Sequence, residues 1–253
     1  MRLMLSGEGP SDLGCERSIA EGKQFAPGPM AWMVDKILER CHTGYSLLET
    51  YQGGGDCVTY VSEKELTSVG KRRSPMGKRG ALLPGVRFGK ETAYFVRNAQ
   101  TLGLLAKQKS EQEDRPVLAV LFRDGDGTQA MSMQVWQQKV DSMHRGFALV
   151  KCKTGVPMVP RPKSEAWLLC ALRQPNYTNC ESLEDASGND ASPNSLKKQL
   201  AARCGGADPS ADEQAEWVAN GAVDPLRIDM PSFNAFKQAL HQAAHKAGLP
   251  NLP

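Results

Sequence analysis

The sequence predicts an α/β domain with a mainly parallel sheet. The prediction rests on a short buried strand near residue 2, an unalternating apolar run at 117–122, and helical periodicity between and after them. Residues 2–6 (Arg-Leu-Met-Leu-Ser) read as the first strand, stopped by Gly7 and Gly9. After a loop rich in Gly and Pro through Pro29, residues 30–41 place Met30, Met33, Val34, Ile37, Leu38 and Cys41 at helical spacing. Residues 57–61 read as a strand, and Ser62 with Glu65 forms a capping box for a short helix. Residues 91–107 predict a helix with Tyr94, Phe95, Ala99, Leu102 and Leu105 as its apolar stripe. Val117–Phe122 is apolar throughout, as in a strand covered on both faces. A helix over 129–143 and a strand over 147–152 continue the alternation. Further helices are expected at 163–172, 195–203, 211–218 and 233–246, with a surface loop at 185–194.

Length and composition fit one large domain that folds on apolar burial: 253 residues, 40% hydrophobic and 23% charged. Aromatics at 6% are too sparse for a broad base-stacking platform. A net charge of +3 does not name a polyanionic partner, but its distribution is uneven. Lys71, Arg72, Arg73, Lys78, Arg79, Arg87 and Lys90 crowd one Gly/Pro-rich stretch, 71–90, that has no acidic residue. Such a loop suits contact with a phosphate backbone; the competing reading is a solvated loop. The seven cysteines are scattered and form no Cys-x-x-Cys, so they read as small buried residues in a reducing compartment. With no secretory h-region and no membrane span, the cytoplasm is the expected location.

Two acidic sites follow the two clearest strands: Gly7-Glu8-Gly9-Pro10-Ser11-Asp12 and Arg123-Asp124-Gly125-Asp126-Gly127-Thr128. In open α/β sheets, sites form at the carboxyl ends of strands. Residues two apart in extended chain point to one side, so Asp124 and Asp126 can converge on one cation. A carboxylate from the first strand would complete a hard, oxygen-only site suited to Mg²⁺ or Mn²⁺. The bland readings are a polar Asp-Gly turn for Asp124 and Asp126, an exposed turn residue for Glu8, and a helix cap for Asp12. His241 and His245 stand at i, i+4 but lack the Glu of a zinc helix, and no glycine motif meets the dinucleotide or P-loop spacing.

A glycine-flanked Glu after the first strand, followed by Asp-x-Asp after a later apolar strand, resembles the TOPRIM (topoisomerase–primase) pattern. The string Gly-Glu-Gly-Pro-Ser-Asp is most similar to the OLD-type nucleases and to small stand-alone TOPRIM proteins of bacterial anti-phage defence. The segment Pro162-Lys163-Ser164-Glu165-Ala166-Trp167-Leu168-Leu169, and a helix opened by Ser232-Phe233, also resemble those stand-alone proteins.

The resemblance implies a TOPRIM-like Rossmannoid core over 1–253. Residues 15–90 would be an insertion carrying the basic loop, and 173–253 a mostly helical extension. It implies a Mg²⁺-dependent nuclease with Glu8 as general base/acid or ligand, Asp124 and Asp126 holding the ion, and Asp12 and Glu165 binding a second one. DNA or RNA would be the substrate and an ABC-type ATPase the partner; a homo-oligomer is left open. Glu165 also reads as an ordinary acid in a first helical turn.

Two alternatives stand beside this. Asp124-Gly125-Asp126-Gly127-Thr128 satisfies the first motif of haloacid-dehalogenase-like phosphatases, with Asp124 as nucleophile. That motif normally opens its domain, whereas here it follows another strand–turn acid. The other alternative is a non-catalytic nucleic-acid-binding subunit with a structural cation.

Overall fold

The computed structural model describes residues 1–20, 22–72, 90–125 and 131–252. Strand β1 (Arg2–Gly7) leads into a single wide helical turn, Gly9–Leu13, and then a hairpin of β2 (Gly14–Ile19) and β3 (Gly22–Pro27). Helix α1 (Pro29–Leu38), a turn at Glu39–Thr43, α2 (Leu47–Gln52), β4 (Val58–Ser62) and α3 (Glu63–Arg72) follow. The chain continues through α4 (Lys90–Glu113), β5 (Val117–Phe122), α5 (Met133–Leu149), β6 (Gly155–Met158) and α6 (Ser164–Leu172). It ends with a short 3₁₀ turn at Cys180–Asp185, α7 (Leu196–Arg203), α8 (Ala211–Ala219) and α9 (Pro231–Lys246).

The central sheet has the order β4-β1-β5-β6, and every pairing in it is parallel. Leu5 of β1 lies beside Tyr60 of β4 and Val120 of β5, which aligns the carboxyl ends of the strands on one rim. The period-two alternation of the strands sorts their side chains between two cores. Leu3, Leu5, Leu118, Val120 and Phe122 join the core that includes α1, α6 and α9. Met4, Ala119 and Leu121 join the core built with Phe95, Ala99 and Leu102 of α4 and Trp136, Val140 and Met143 of α5. A sheet covered on both faces is why β5 shows no polar alternation.

The segment 15–90 supplies β4 and α1, so part of it belongs to the sheet and its core. The Gly/Pro-rich loop expected before residue 29 contains the β2–β3 hairpin. Its Gly14 has φ +108°, and a Cβ there would sit 2.1 Å from the Ala26 carbonyl oxygen. The capping box at Ser62 is half made: the Glu65 N–H donates to Ser62 Oγ at 3.3 Å.

The strand expected at 147–152 is a correction. Residues 147–149 are the last turn of α5, because Met143 and Phe147, at i and i+4, pack on α4 while Gly146 lets the helices approach. The strand itself falls at Gly155–Met158. As the last strand of the sheet, β6 tolerates Pro157, whose missing N–H interrupts no inner ladder.

A second correction concerns the cysteines. Cys170 of α6 and Cys180 of the 3₁₀ turn are joined by a disulfide, with Cα atoms 5.1 Å apart. Their ten-residue separation shows no motif, because it is the fold-back after α6 that pairs them. This pair takes away the support the cysteines lent to a reducing compartment. Among the described residues no helix is long and apolar enough to cross a membrane.

Candidate carboxylate site

The rim gathers four predicted acids from three separate parts of the chain. Glu8 follows β1 in extended conformation, and its Oε1 accepts the Asp124 backbone N–H at 2.7 Å, tying the ends of β1 and β5 together. Asp12 lies in the wide turn after Glu8, Asp124 lies two residues past β5, and Glu165 is in the first turn of α6.

Ser164 bridges two of them. Its N–H donates to Asp124 Oδ1 at 3.1 Å, and its hydroxyl donates to Asp12 Oδ1 in a short hydrogen bond. The other Asp12 oxygen accepts from Ser11 Oγ at 3.1 Å. Asp124 therefore meets the amino end of α6, where the helix dipole favours negative charge.

That favour does not balance the crowding. Asp124 keeps some accessible surface but is deeply surrounded by protein. Its carboxyl is held well above the ordinary range, first by desolvation and then by Asp12, Glu165 and Glu8. The Glu165 carboxyl is also raised, chiefly by desolvation, with Asp12 adding to it. Glu165 Oε2 is buried and has no hydrogen-bond partner. Lys163 lies nearby, but its ammonium bonds Asp190 at 2.9 Å.

A surplus of oxygen ligands with one buried orphan oxygen is the chemistry that a hard divalent cation satisfies. Among the described residues no group of three or more His, Cys, Asp or Glu side chains is placed to hold a metal ion. Asp126 lies outside the described residues, as do Arg73, Lys78, Arg79, Arg87 and the side chains of Lys71, Arg72 and Lys90.

The floor of the site is fixed by residues that the sequence reading gave no role. Lys139, 3% exposed, donates to the Gly125 carbonyl in a short hydrogen bond and lies 5.5 Å from the Phe95 ring centroid. Its only sequence signal is a lysine inside the apolar stripe Trp136, Lys139, Val140, Met143. Gly125 itself is wedged against the chain after β6. A Cβ there would meet the carbonyl oxygens of Pro160 and Pro162 at 2.6 and 2.8 Å.

Gly125→Ala is therefore expected to displace the Asp124 loop and cost about 1–3 kcal/mol. A thermal melt checks the cost. Loss of any Mg²⁺-induced rise in the melting temperature checks the displacement.

The 160–163 segment is held from beneath by Arg161. Its Nε lies 3.2 Å from Glu184 Oε2, off hydrogen-bond alignment, and its Nη2 donates to Asp185 at 2.9 Å. Glu184, fully buried, accepts the Ser232 N–H at 2.7 Å. Ser232 Oγ in turn accepts from Trp167 Nε1 at 2.9 Å, and Trp167 packs between Phe233 and Phe236. The two later segments singled out in the sequence, 162–169 and 232–233, thus meet each other under the site.

No protein-family model matches this chain, and no curated protein or solved structure matches it either. Functional reading therefore rests on the site itself.

Proposed function

We propose that the protein is a Mg²⁺- or Mn²⁺-dependent nuclease of TOPRIM type that hydrolyses nucleic-acid phosphodiester bonds. The observation that carries the reading is the convergence of Glu8, Asp12, Asp124 and Glu165 on one rim, crowded enough to push Asp124 toward protonation when no cation is bound. Asp124, Asp12 and Glu165, with Asp126 two residues further on in the sequence, would hold the cation. A bound divalent ion lowers the pKa of an attacking water and offsets charge on the phosphate oxygens.

Glu8 would serve as general base, its carboxylate steadied by the Asp124 N–H. Ser164 keeps Asp12 and Asp124 oriented. The basic stretch 71–90 would follow the nucleic-acid backbone, and an ABC-type ATPase partner in an anti-phage system remains part of the proposal.

The test is a cleavage assay on plasmid, single-stranded DNA and RNA with Mg²⁺, Mn²⁺ or EDTA, alongside p-nitrophenyl phosphate. Metal-dependent cutting that is lost in Glu8→Ala and Asp126→Ala is the expected result. Turnover of the phosphate monoester that survives Glu8→Ala but not Asp126→Ala would replace the nuclease with the phosphatase.

A further inference from the structure

Behind the carboxylate rim, on the α4 side of the sheet, lies a cation that nothing among the described residues neutralises. Arg123 follows β5 and shares a face with Leu121, the neighbour of Ser6 across the β1–β5 pairing. It is completely buried. Its Nη1 donates to the Phe122 carbonyl at 2.8 Å, while Nε and Nη2 have no hydrogen-bond partner. The guanidinium lies 5.7 Å from the Tyr94 ring centroid, and the Tyr94 hydroxyl is taken up by a short hydrogen bond to Glu63.

Two further polar groups on this face are buried without an aligned hydrogen bond: Ser6 Oγ and, one turn along α4, Asn98 Nδ2, which lies beside the Tyr94 hydroxyl. A guanidinium removed from water without a counter-charge is costly. Residues 73–89, between α3 and α4, contain no Asp or Glu; the acids outside the described residues are Glu21 and Asp126, and Asp126 is assigned to the cation. The donor set left open is a planar arginine fork, an amide N–H and a hydroxyl, next to the acids proposed to hold the cation. Arginine forks match the tetrahedral oxygens of phosphate with two parallel N–H···O bonds.

We infer that Arg123, with Asn98 and Ser6, forms a phosphate-binding site that receives a phosphate group of the substrate beside the proposed cation site. As a substrate site it rests on the nuclease reading; as a phosphate site it does not. The arginine holds the anion and the metal ligands act on the neighbouring ester, so the two groups divide binding and chemistry between them.

The experiment is a thermal melt in EDTA at pH 7.5, titrating inorganic phosphate against chloride at constant ionic strength. Arg123→Met serves as the neutral comparison and also subtracts the general stabilising effect of phosphate salts. The wild type is expected to show a saturable rise in melting temperature. Arg123→Met is expected to melt higher in chloride and to lose the saturable rise, its apparent phosphate Kd at least 10-fold weaker.

Should Arg123→Met not fold, Arg123→Lys keeps the charge but not the fork and is expected to show the same weakening. Competition by a short single-stranded oligonucleotide would assign the site to the nucleic-acid backbone. Phosphate binding without competition would assign it to free phosphate. A wild type with no saturable response, or an equal response in the Arg123 variant, overturns the site. Cutting that persists in that case leaves the nuclease reading standing. Phosphate binding in a protein that cuts nothing would instead remove the nuclease and keep the site.

Discussion

Asp124→Asn is expected to melt several degrees higher than the wild type in EDTA at pH 7.5, with the difference closing as the pH falls toward 4. The sign follows from the raised carboxyl of Asp124. Between the unfolded pKa near 3.8 and the higher folded value, the folded state binds more protons than the unfolded state. Stability therefore falls as pH rises through that window, and at neutral pH the metal-free protein holds a carboxylate that its neighbours oppose. Asparagine removes that charge.

Glu165, Glu184 and Asp35 are also raised, so the comparison must be the difference between the two proteins, not the wild-type curve alone. With Mg²⁺ present the order reverses. The wild type gains stability by binding, about 2.7 kcal/mol at a hundredfold excess over Kd, and the variant does not. On the proposed reading its cutting rate falls by about 10²–10³-fold or more.

Arg161→Ala is expected to destabilise the protein by about 3–5 kcal/mol, the usual effect of stranding a buried charge. For a chain of this size that lowers the melting temperature by about 10 °C. Arg161 is 7% exposed and faces Glu184, which has no accessible surface. Burial is the main cause that raises the Glu184 carboxyl, and Arg161 acts against it. Without Arg161, Glu184 retains only the Ser232 contacts and its carboxyl moves further up. The variant's deficit is then largest at neutral pH and shrinks on acidification, where Glu184 takes up a proton. A deficit that stayed constant between pH 5 and 8 would mean the loss is one of packing alone. Because the same segment presses Pro160 and Pro162 against Gly125, this change also loosens the Asp124 loop.

The parts of the site legible in the sequence were those where a carboxylate follows a doubly buried strand. Glu8 and Asp124 could be placed because β1 has an apolar centre stopped by Gly7 and β5 is apolar throughout, each soon followed by a Gly-flanked acid. Asp12 and Glu165 came from the family resemblance, and the fold brings both beside Asp124. Lys139 was not legible, since a lysine in an apolar stripe carries no sign that its ammonium will find a carbonyl 14 residues back.

Arg123 likewise had no role in the sequence, because its burial depends on α4 lying across it. The β2–β3 hairpin escaped because its strands are largely exposed and polar, without the alternation that a buried face imposes. The apolar residues 147–149 were misplaced because a brief apolar run at the end of a helix has the same composition as a buried strand. Only the contact with α4 decides between them.

The most direct test of the central claim is Mn²⁺ binding to the folded protein followed by electron paramagnetic resonance. Wild type is compared with Asp124→Asn and Glu165→Gln at pH 7.5. The account predicts saturable loss of the free-ion signal in the wild type and a binding constant at least 10-fold weaker in each variant. Equal binding by all three proteins, or none by the wild type, would contradict the assignment of these carboxylates to a catalytic cation.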